Sequence, residues 1–240
     1  MKAKFFLKKV WKWTKRIFIF LFFFQFFCIL LFKWVDPPIT ITQLVSWVRG
    51  DGLKRDYIGW KEISYNAKLS VIASEDQVFR DHSGFDWKNI KKAMAYNKKK
   101  PNRIRGASTI SQQVAKNVFL WQGRGWIRKG LEAYFTFMIE LIWSKKRILE
   151  VYLNVIEMGR GIYGIEAASR TYFNKPATSL TRIEAAMIAS CLPNPKKYTV
   201  KPLSNYVAVR RQWVLQQMNN LEEDLDIQNI IKEQLPKKKK

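Results

Sequence analysis

Acidic residues are scarce in this chain: 19 Asp and Glu stand against 43 Lys and Arg, a formal net charge of +24 over 240 residues. So basic a surface suits a polyanionic partner, whether nucleic acid, an anionic lipid leaflet or a phosphorylated substrate. Cysteine is almost missing as well, with only Cys28 and Cys191, and His82 is the single histidine. These shortages exclude a disulfide scaffold, a zinc centre of Cys/His type and a histidine chain for metal or proton relay. Alternating strand patterns are nearly absent, and no internal repeat is visible. Against this, hydrophobic residues reach 48% and aromatics 15%, too apolar for a disordered tail. The length holds one ordinary domain plus a small extra segment.

The first part of the chain is a different material from the rest. Residues 1–16 carry Lys2, Lys4, Lys8, Lys9, Lys12, Lys15 and Arg16 and no acidic group. Residues 17–35 follow as an apolar run broken by Gln25 and Lys33, about enough to cross a hydrocarbon core of roughly 30 Å. Trp11, Trp13 and Trp34 stand where an interfacial aromatic belt would, and Lys33 can snorkel. No small-x-small cleavage site follows, which argues against a removed signal peptide. The leading positive charges predict a cytoplasmic N-terminus, with the later residues across the membrane. The expected division is a basic N-terminus (1–16), a transmembrane helix (17–35), a juxtamembrane linker (36–56), a folded domain (57–221) and a charged tail (222–240). Ala133–Trp143 is too short for a second span and reads as a buried or membrane-skimming helix.

Helical periodicity recurs through the domain. Ile63, Ala67, Val71 and Ile72 share one face over 60–74. Asp86 caps a helix through Tyr96, and a basic loop follows over Lys98–Arg105. Further helices are expected over 107–120, 126–143 and 145–157. Thr181 and Glu184 have capping-box spacing before Ala185–Leu192, which Pro193 stops. Ser204 opens a last helix whose apolar face is Val207, Val214, Leu215 and Met218. The expectation is one all-α domain.

Some polar residues are of an unusual kind for a helix surface. Ser108, Gln112, Gln113 and Lys116 fall close to one stripe. Hydroxyls and amides there suit oriented bonds to a sugar or phosphate, or simply a hydroxyl-capped helix with a mildly polar face. Arg124, Arg128 and Lys129 precede Glu132, which makes either an ordinary surface i,i+4 pair or a cationic patch for a diphosphate. Glu75 closes an apolar helix, with Phe79 and His82 soon after. It reads as a plain helix-end carboxylate or as a desolvated one, whose raised pKa suits a base near neutral pH.

Together these segments resemble the glycosyltransferase domain of peptidoglycan polymerases, the family 51 transglycosylases. Residues 75–84, EDQVFRDHSG, look like the family's E-D-x-x-F-x-x-H-x-G. Residues 106–113, GASTISQQ, are similar to G-G-S-T-I-T-Q-Q, with Ala107 and Ser111 as mild departures. Residues 128–132, RKGLE, match R-K-x-x-E, and residues 146–154, KRILEVYLN, look like K-x-x-I-L-E-x-Y-L-N. The four motifs stand in family order, and neither Ser-x-x-Lys nor Lys-Thr-Gly, the transpeptidase signatures of bifunctional relatives, occurs.

The resemblance implies a lysozyme-like, mainly α glycosyltransferase domain over 57–221 that joins lipid-linked disaccharides by an inverting displacement. It implies Glu75 as general base and Glu132 as the second essential carboxylate. Phe79 and His82 would shape the cleft. Ser108, Thr109, Gln112 and Gln113 would hold sugar and phosphate oxygens, and Lys116, Arg124, Arg128 and Lys129 the diphosphate. Glu150, Tyr152 and Asn154 fit an ordinary packed helix. No protein metal site is implied, although a divalent cation (Mg2+ or Mn2+) is compatible with the chemistry. Expected partners are lipid II, lipid-linked glycan strands, membrane lipids, and cell-wall synthases or transpeptidases, at the inner membrane with a periplasmic catalytic domain. A lytic transglycosylase or hydrolase is the rival reading, although the cations favour synthesis. A membrane-anchored nucleic-acid binder is permitted by charge but not by the ordered motifs.

Overall fold

The computed structural model describes residues 2–102, 105–123 and 125–232. It divides into two units, Met1–Pro37 and Pro38–Lys240. The first is the helix α1 (Lys2–Leu31), which runs unbroken because neither Gly nor Pro interrupts it. Within it Phe6–Leu31 spans 26 residues and contains an 18-residue window with a mean hydropathy of 1.9. At 1.5 Å per residue this is about 39 Å, long and apolar enough to cross a membrane. The basic segment and the apolar run are therefore one element. It stops at Leu31, short of the expected Val35. The N–H groups of Lys33 and Trp34 bond three residues back, and Pro37 disfavours helix at Asp36.

The second unit opens with α2 (Ile41–Val48), where Thr40 and Gln43 satisfy each other's backbone N–H groups in a capping box. Next is β1 (Lys54–Arg55), so the stretch expected as a linker carries a helix and a strand. A 3-10 turn at Trp60–Glu62 leads into α3 (Tyr65–Glu75). Then come α4 (Trp87–Lys99), α5 (Ile110–Phe119), α6 (Trp126–Ile142) and α7 (Lys145–Val155). The hairpin strands β2 (Glu157–Gly159) and β3 (Ile162–Tyr163) precede α8 (Ile165–Phe173), α9 (Arg182–Cys191), α10 (Asn205–Glu222) and α11 (Leu225–Ile231). β3 pairs antiparallel with β2 and parallel with β1, in the order β1-β3-β2. Strands this short cannot display alternation, which is why the sequence reads as all helix.

Local signals locate most helix starts. Asp86 caps α4 through Asn89 N–H at 2.9 Å, and α4 runs on to Lys99. Thr181 and Glu184 form the expected box before α9, and Ser204 caps α10. α5 starts later than expected, at Ile110 behind the N-cap Thr109, which leaves Ser108 outside the helix. α10 is not the last helix: Asp224 caps α11, whose Ile227, Ile230 and Ile231 are buried. The Lys237–Lys240 tail lies outside the described residues.

The core has two groups of helices. α3, with Ala67, Leu69, Val71, Ile72 and Ala73 buried, packs against α9 and α10. α5 packs against α6 and α7. The C-terminal end of α3 meets the start of α5, and the candidate site is built there.

Candidate active site

The scaffold comes first. Asp76, buried just past α3, accepts from His82 Nε2 at 3.0 Å and from the Ile110 N–H at 3.0 Å. His82 Nδ1 accepts from the Gly84 N–H at 3.1 Å, so Nε2 carries the ring proton and donates to Asp76. Gly84 has φ +86°, and a Cβ there would lie 2.7 Å from Thr136 Cγ2 on α6, so no other residue fits without displacement. The Gly84 carbonyl accepts from Thr109 Oγ1 at 2.7 Å. Thr109 and Gln112 in turn close a capping box at the head of α5. The 76–84 loop, the start of α5 and α6 are thereby pinned together.

This scaffold takes up several residues expected in the cleft. Phe79 is fully buried, with Lys145 Nζ 4.6 Å from its ring centroid. Both His82 ring nitrogens are engaged inside the loop. Gln112 is buried and turned back to Thr109. Phe79, His82 and Gln112 thus shape the site from behind rather than face it, while Thr109 is on the cleft wall with its hydroxyl taken up by the Gly84 carbonyl. Ser108 does line the cleft, but from the loop before the helix.

The cleft has a volume of about 790 Å³ and is lined by Glu75, Gln77, Ser108 and Gln113, with Lys92 of α4 and Arg105 also on its wall. Glu75 Oε2 accepts from Gln113 Nε2 at 2.8 Å, and Oε1 from Ser74 Oγ at 3.4 Å. Burial pushes the Glu75 carboxyl above its ordinary value, while the bonds from Gln113 and Ser74 and the charge of Arg210 pull it back.

The cations gather along α5 and α6. Glu132 is only 2% exposed, so it is no surface pair. It accepts from Arg128 at 3.1 Å and forms an ion pair with Lys129. The Lys116 side chain has no hydrogen-bond or ion-pair partner among the described residues. Burial lowers its pKa, the charge of Glu132 raises it, Arg128 and Lys129 lower it, and Glu75 also raises it. Lys116 is therefore within electrostatic reach of both carboxylates. Arg128 Nε is buried with no acceptor among the described residues, a donor left for an anion. Arg124 lies outside the described residues.

Lys92 and Arg105 were not among the expected site residues, and a third cation, Arg210, also escaped the sequence reading. Arg210 on α10 feels the charge of Glu75, and its guanidinium stacks 3.6 Å from the Trp213 ring centroid. Its Nε is also buried without an acceptor among the described residues. The signal was present: Arg210 falls three residues after Val207 and four before Val214, both buried, so a charge stands on the inward stripe.

Residues 42–219 match the family model described as Transglycosylase. The chain belongs to this family. It is 49% identical over 222 residues to a protein of Yersinia pseudotuberculosis serotype O:3 (strain YPIII) named biosynthetic peptidoglycan transglycosylase, covering 90% of this chain and 92% of the relative. A Yersinia pestis (strain Pestoides F) protein of the same name is 48% identical over 220 residues, covering 89% and 91%. The matched family region contains every candidate site residue. For a divalent cation the side chains fit poorly. Among the described residues no three His, Cys, Asp or Glu side chains converge, Asp76 is occupied by His82 and Ile110, and Glu132 is held by Arg128 and Lys129.

The raised pKa of Glu75 has a consequence for stability. The unfolded chain ionises this group first, so its contribution turns unfavourable as pH rises through the ordinary Glu value of 4.5 toward the folded value. Glu75→Gln is therefore expected to melt at a higher temperature than the native protein at pH 7. That advantage should shrink as pH falls below the ordinary Glu value. An equal or lower melting temperature at pH 7 would contradict a desolvated carboxylate.

Proposed function

We propose that this chain is a peptidoglycan glycosyltransferase that polymerises lipid II into β-1,4-linked glycan strands and releases undecaprenyl diphosphate. One arrangement carries the reading: the half-buried carboxylate of Glu75 at the cleft wall is bonded to Gln113, Lys116 follows one turn further along α5, and Arg128 and Lys129 pair with the buried Glu132. In the reaction the acceptor's C4 hydroxyl attacks C1 of the donor's N-acetylmuramic acid. The O4–C1 bond forms while the bond from C1 to the diphosphate oxygen breaks, which inverts the α-linked donor to a β-glycoside.

The hydroxyl proton passes to Glu75. A base whose pKa is raised toward neutrality pulls harder on that proton while staying ionised enough to act. The diphosphate is already a good leaving group and needs positive charge more than a proton. Lys116, without a side-chain partner among the described residues, and Arg128, with Nε unused, are the groups for that task, and Lys129 extends the patch. Glu132 holds Arg128 and Lys129 in place. Ser108 is left to bind sugar and phosphate oxygens, while the Gln113 amide is taken up by Glu75. Hydrolysis of glycan strands would instead need a general acid for a sugar leaving group, and Glu132 already faces two cations rather than a sugar.

Lipid-tethered substrates require a cleft at the membrane. α1 fits a single-pass anchor, with its basic end in the cytoplasm and the second unit on the periplasmic side of the inner membrane. α6 buries Glu132 and Thr136 beside Phe135 and Ile139 and leaves other apolar side chains exposed. Trp126, Ile127, Phe137 and Leu141 face out, the last two 59% and 69% exposed. Phe135, by contrast, is 8% exposed and stacks on Phe119 at 4.7 Å. Only the outer stripe is available to lipid.

The direct test is polymerisation of labelled lipid II by the full-length protein in detergent. Lysozyme-sensitive polymer is expected, falling roughly 10²–10⁴-fold in Glu75→Gln; cleavage of preformed strands without polymer would replace synthesis by hydrolysis. For the membrane face, the Phe137→Ser, Leu141→Ser double variant should lose more activity in anionic vesicles than in detergent. Equal losses in both media would remove α6 from the lipid interface.

A further inference from the structure

Tyr152 is fully buried on α7 and on spacing alone is a packing residue. Its hydroxyl nevertheless reaches the site. It donates to Gln113 Oε1 at 3.2 Å, and Gln113 Nε2 donates to Glu75 Oε2 at 2.8 Å. The Gln113 amide thus links two groups that ask for opposite ends of it. An ionised carboxylate can only accept, so it needs the amide NH2; the tyrosine O–H needs an oxygen.

Consider the amide turned over. Its oxygen would face Glu75, which is tolerable only when Glu75 carries a proton. Its NH2 would face Tyr152, whose hydroxyl proton would then have no acceptor among the described residues, deep in the interior where such a loss is costly. Glu75 protonation and amide orientation are therefore coupled through the tyrosine.

We infer that Tyr152 is a positioning residue for the base: its hydroxyl holds the Gln113 amide with NH2 toward Glu75 and so favours the ionised, proton-accepting carboxylate. This rests on the reading of Glu75 as base. Burial holds the tyrosine hydroxyl well above its usual range, which keeps it a donor at working pH. Tyr152 acts only through Gln113. The other titratable or charged groups that face Glu75 are Asp76, Lys116 of α5, Cys191 of α9, and Tyr206 and Arg210 of α10. Replacing Tyr152 by Phe leaves all of them in place.

The experiment is the pH profile of kcat for lipid II polymerisation by full-length, detergent-solubilised protein, comparing native, Tyr152→Phe, Gln113→Met, the double variant and Glu75→Gln. Without the hydroxyl, the acidic limb should move up by about one pH unit, the scale of a lost hydrogen bond to a charged group. Below the limb kcat should fall about 10-fold, and well above it recover to within about twofold of native. Gln113→Met should show the same displacement, and adding Tyr152→Phe to it should displace the limb no further. A uniform loss at every pH, or an unmoved limb, would overturn the role of Tyr152. Should Tyr152→Phe fail to fold, a native-like limb in Gln113→Met would overturn it equally. Undiminished polymerisation by Glu75→Gln would instead remove the base assignment and this role with it, so the two failures are told apart by which variant departs from expectation.

Discussion

A carboxylate taken out of water resists holding its charge, and Glu75 stands where an almost wholly buried helix runs out at the wall of a cleft. The placement needs α3 to be central, which its Ala, Leu, Val and Ile side chains achieve against α9 and α10. It also needs the chain to turn sharply just after the carboxylate without covering it. Asp76, His82, Gly84 and Thr109 make that turn, each satisfying a polar group of the next. The spacing of residues 75–84 thereby acquires a physical account. Glu75 is held at the cleft wall by Gln113 and Ser74, and its neighbour Asp76 anchors the loop that presents it.

Charge is distributed to match. Glu75, the proposed base, forms no direct ion pair among the described residues and receives hydrogen bonds from neutral donors, Gln113 and Ser74. The second carboxylate, Glu132, is given two cations instead. Lys116, on α5 between these settings, feels both. A displacement that removes a proton at one end and gathers negative charge on a diphosphate at the other asks for this polarity. The same α6 that buries Glu132 turns an apolar stripe outward, so the charge-handling site and the surface suited to lipid are two faces of one helix.

Much of this was legible because it is local. Capping residues Asp86, Thr181 and Ser204 announce their helices by themselves, and Glu75, Lys116, Arg128, Lys129 and Glu132 carry their types and spacings in plain view. What was misread depended on orientation. Gln112 and Gln113 are adjacent, yet about 100° of helical rotation separates them, and only one can face the carboxylate while the other closes the cap. His82 and Phe79 are near the base in sequence but turned to the interior, since a loop's direction is not written in its spacing. Arg210 and Tyr152 reach the site from helices distant in the chain. The small sheet was invisible because two or three residues per strand show no periodicity, and α11 was hidden in a stretch dominated by charge.

The proposed role of Glu75 requires it to titrate above an ordinary glutamate. Difference infrared spectroscopy of the carboxyl band, native minus Glu75→Gln, followed through pH in the full-length detergent-solubilised protein, reads that one group. An inflection above the ordinary value of 4.5 is the predicted result, and it would supply a base poised for work near neutral pH. An inflection at or below that value would mean the carboxylate is well solvated, and the proposed division of labour between Glu75 and the cations would not stand.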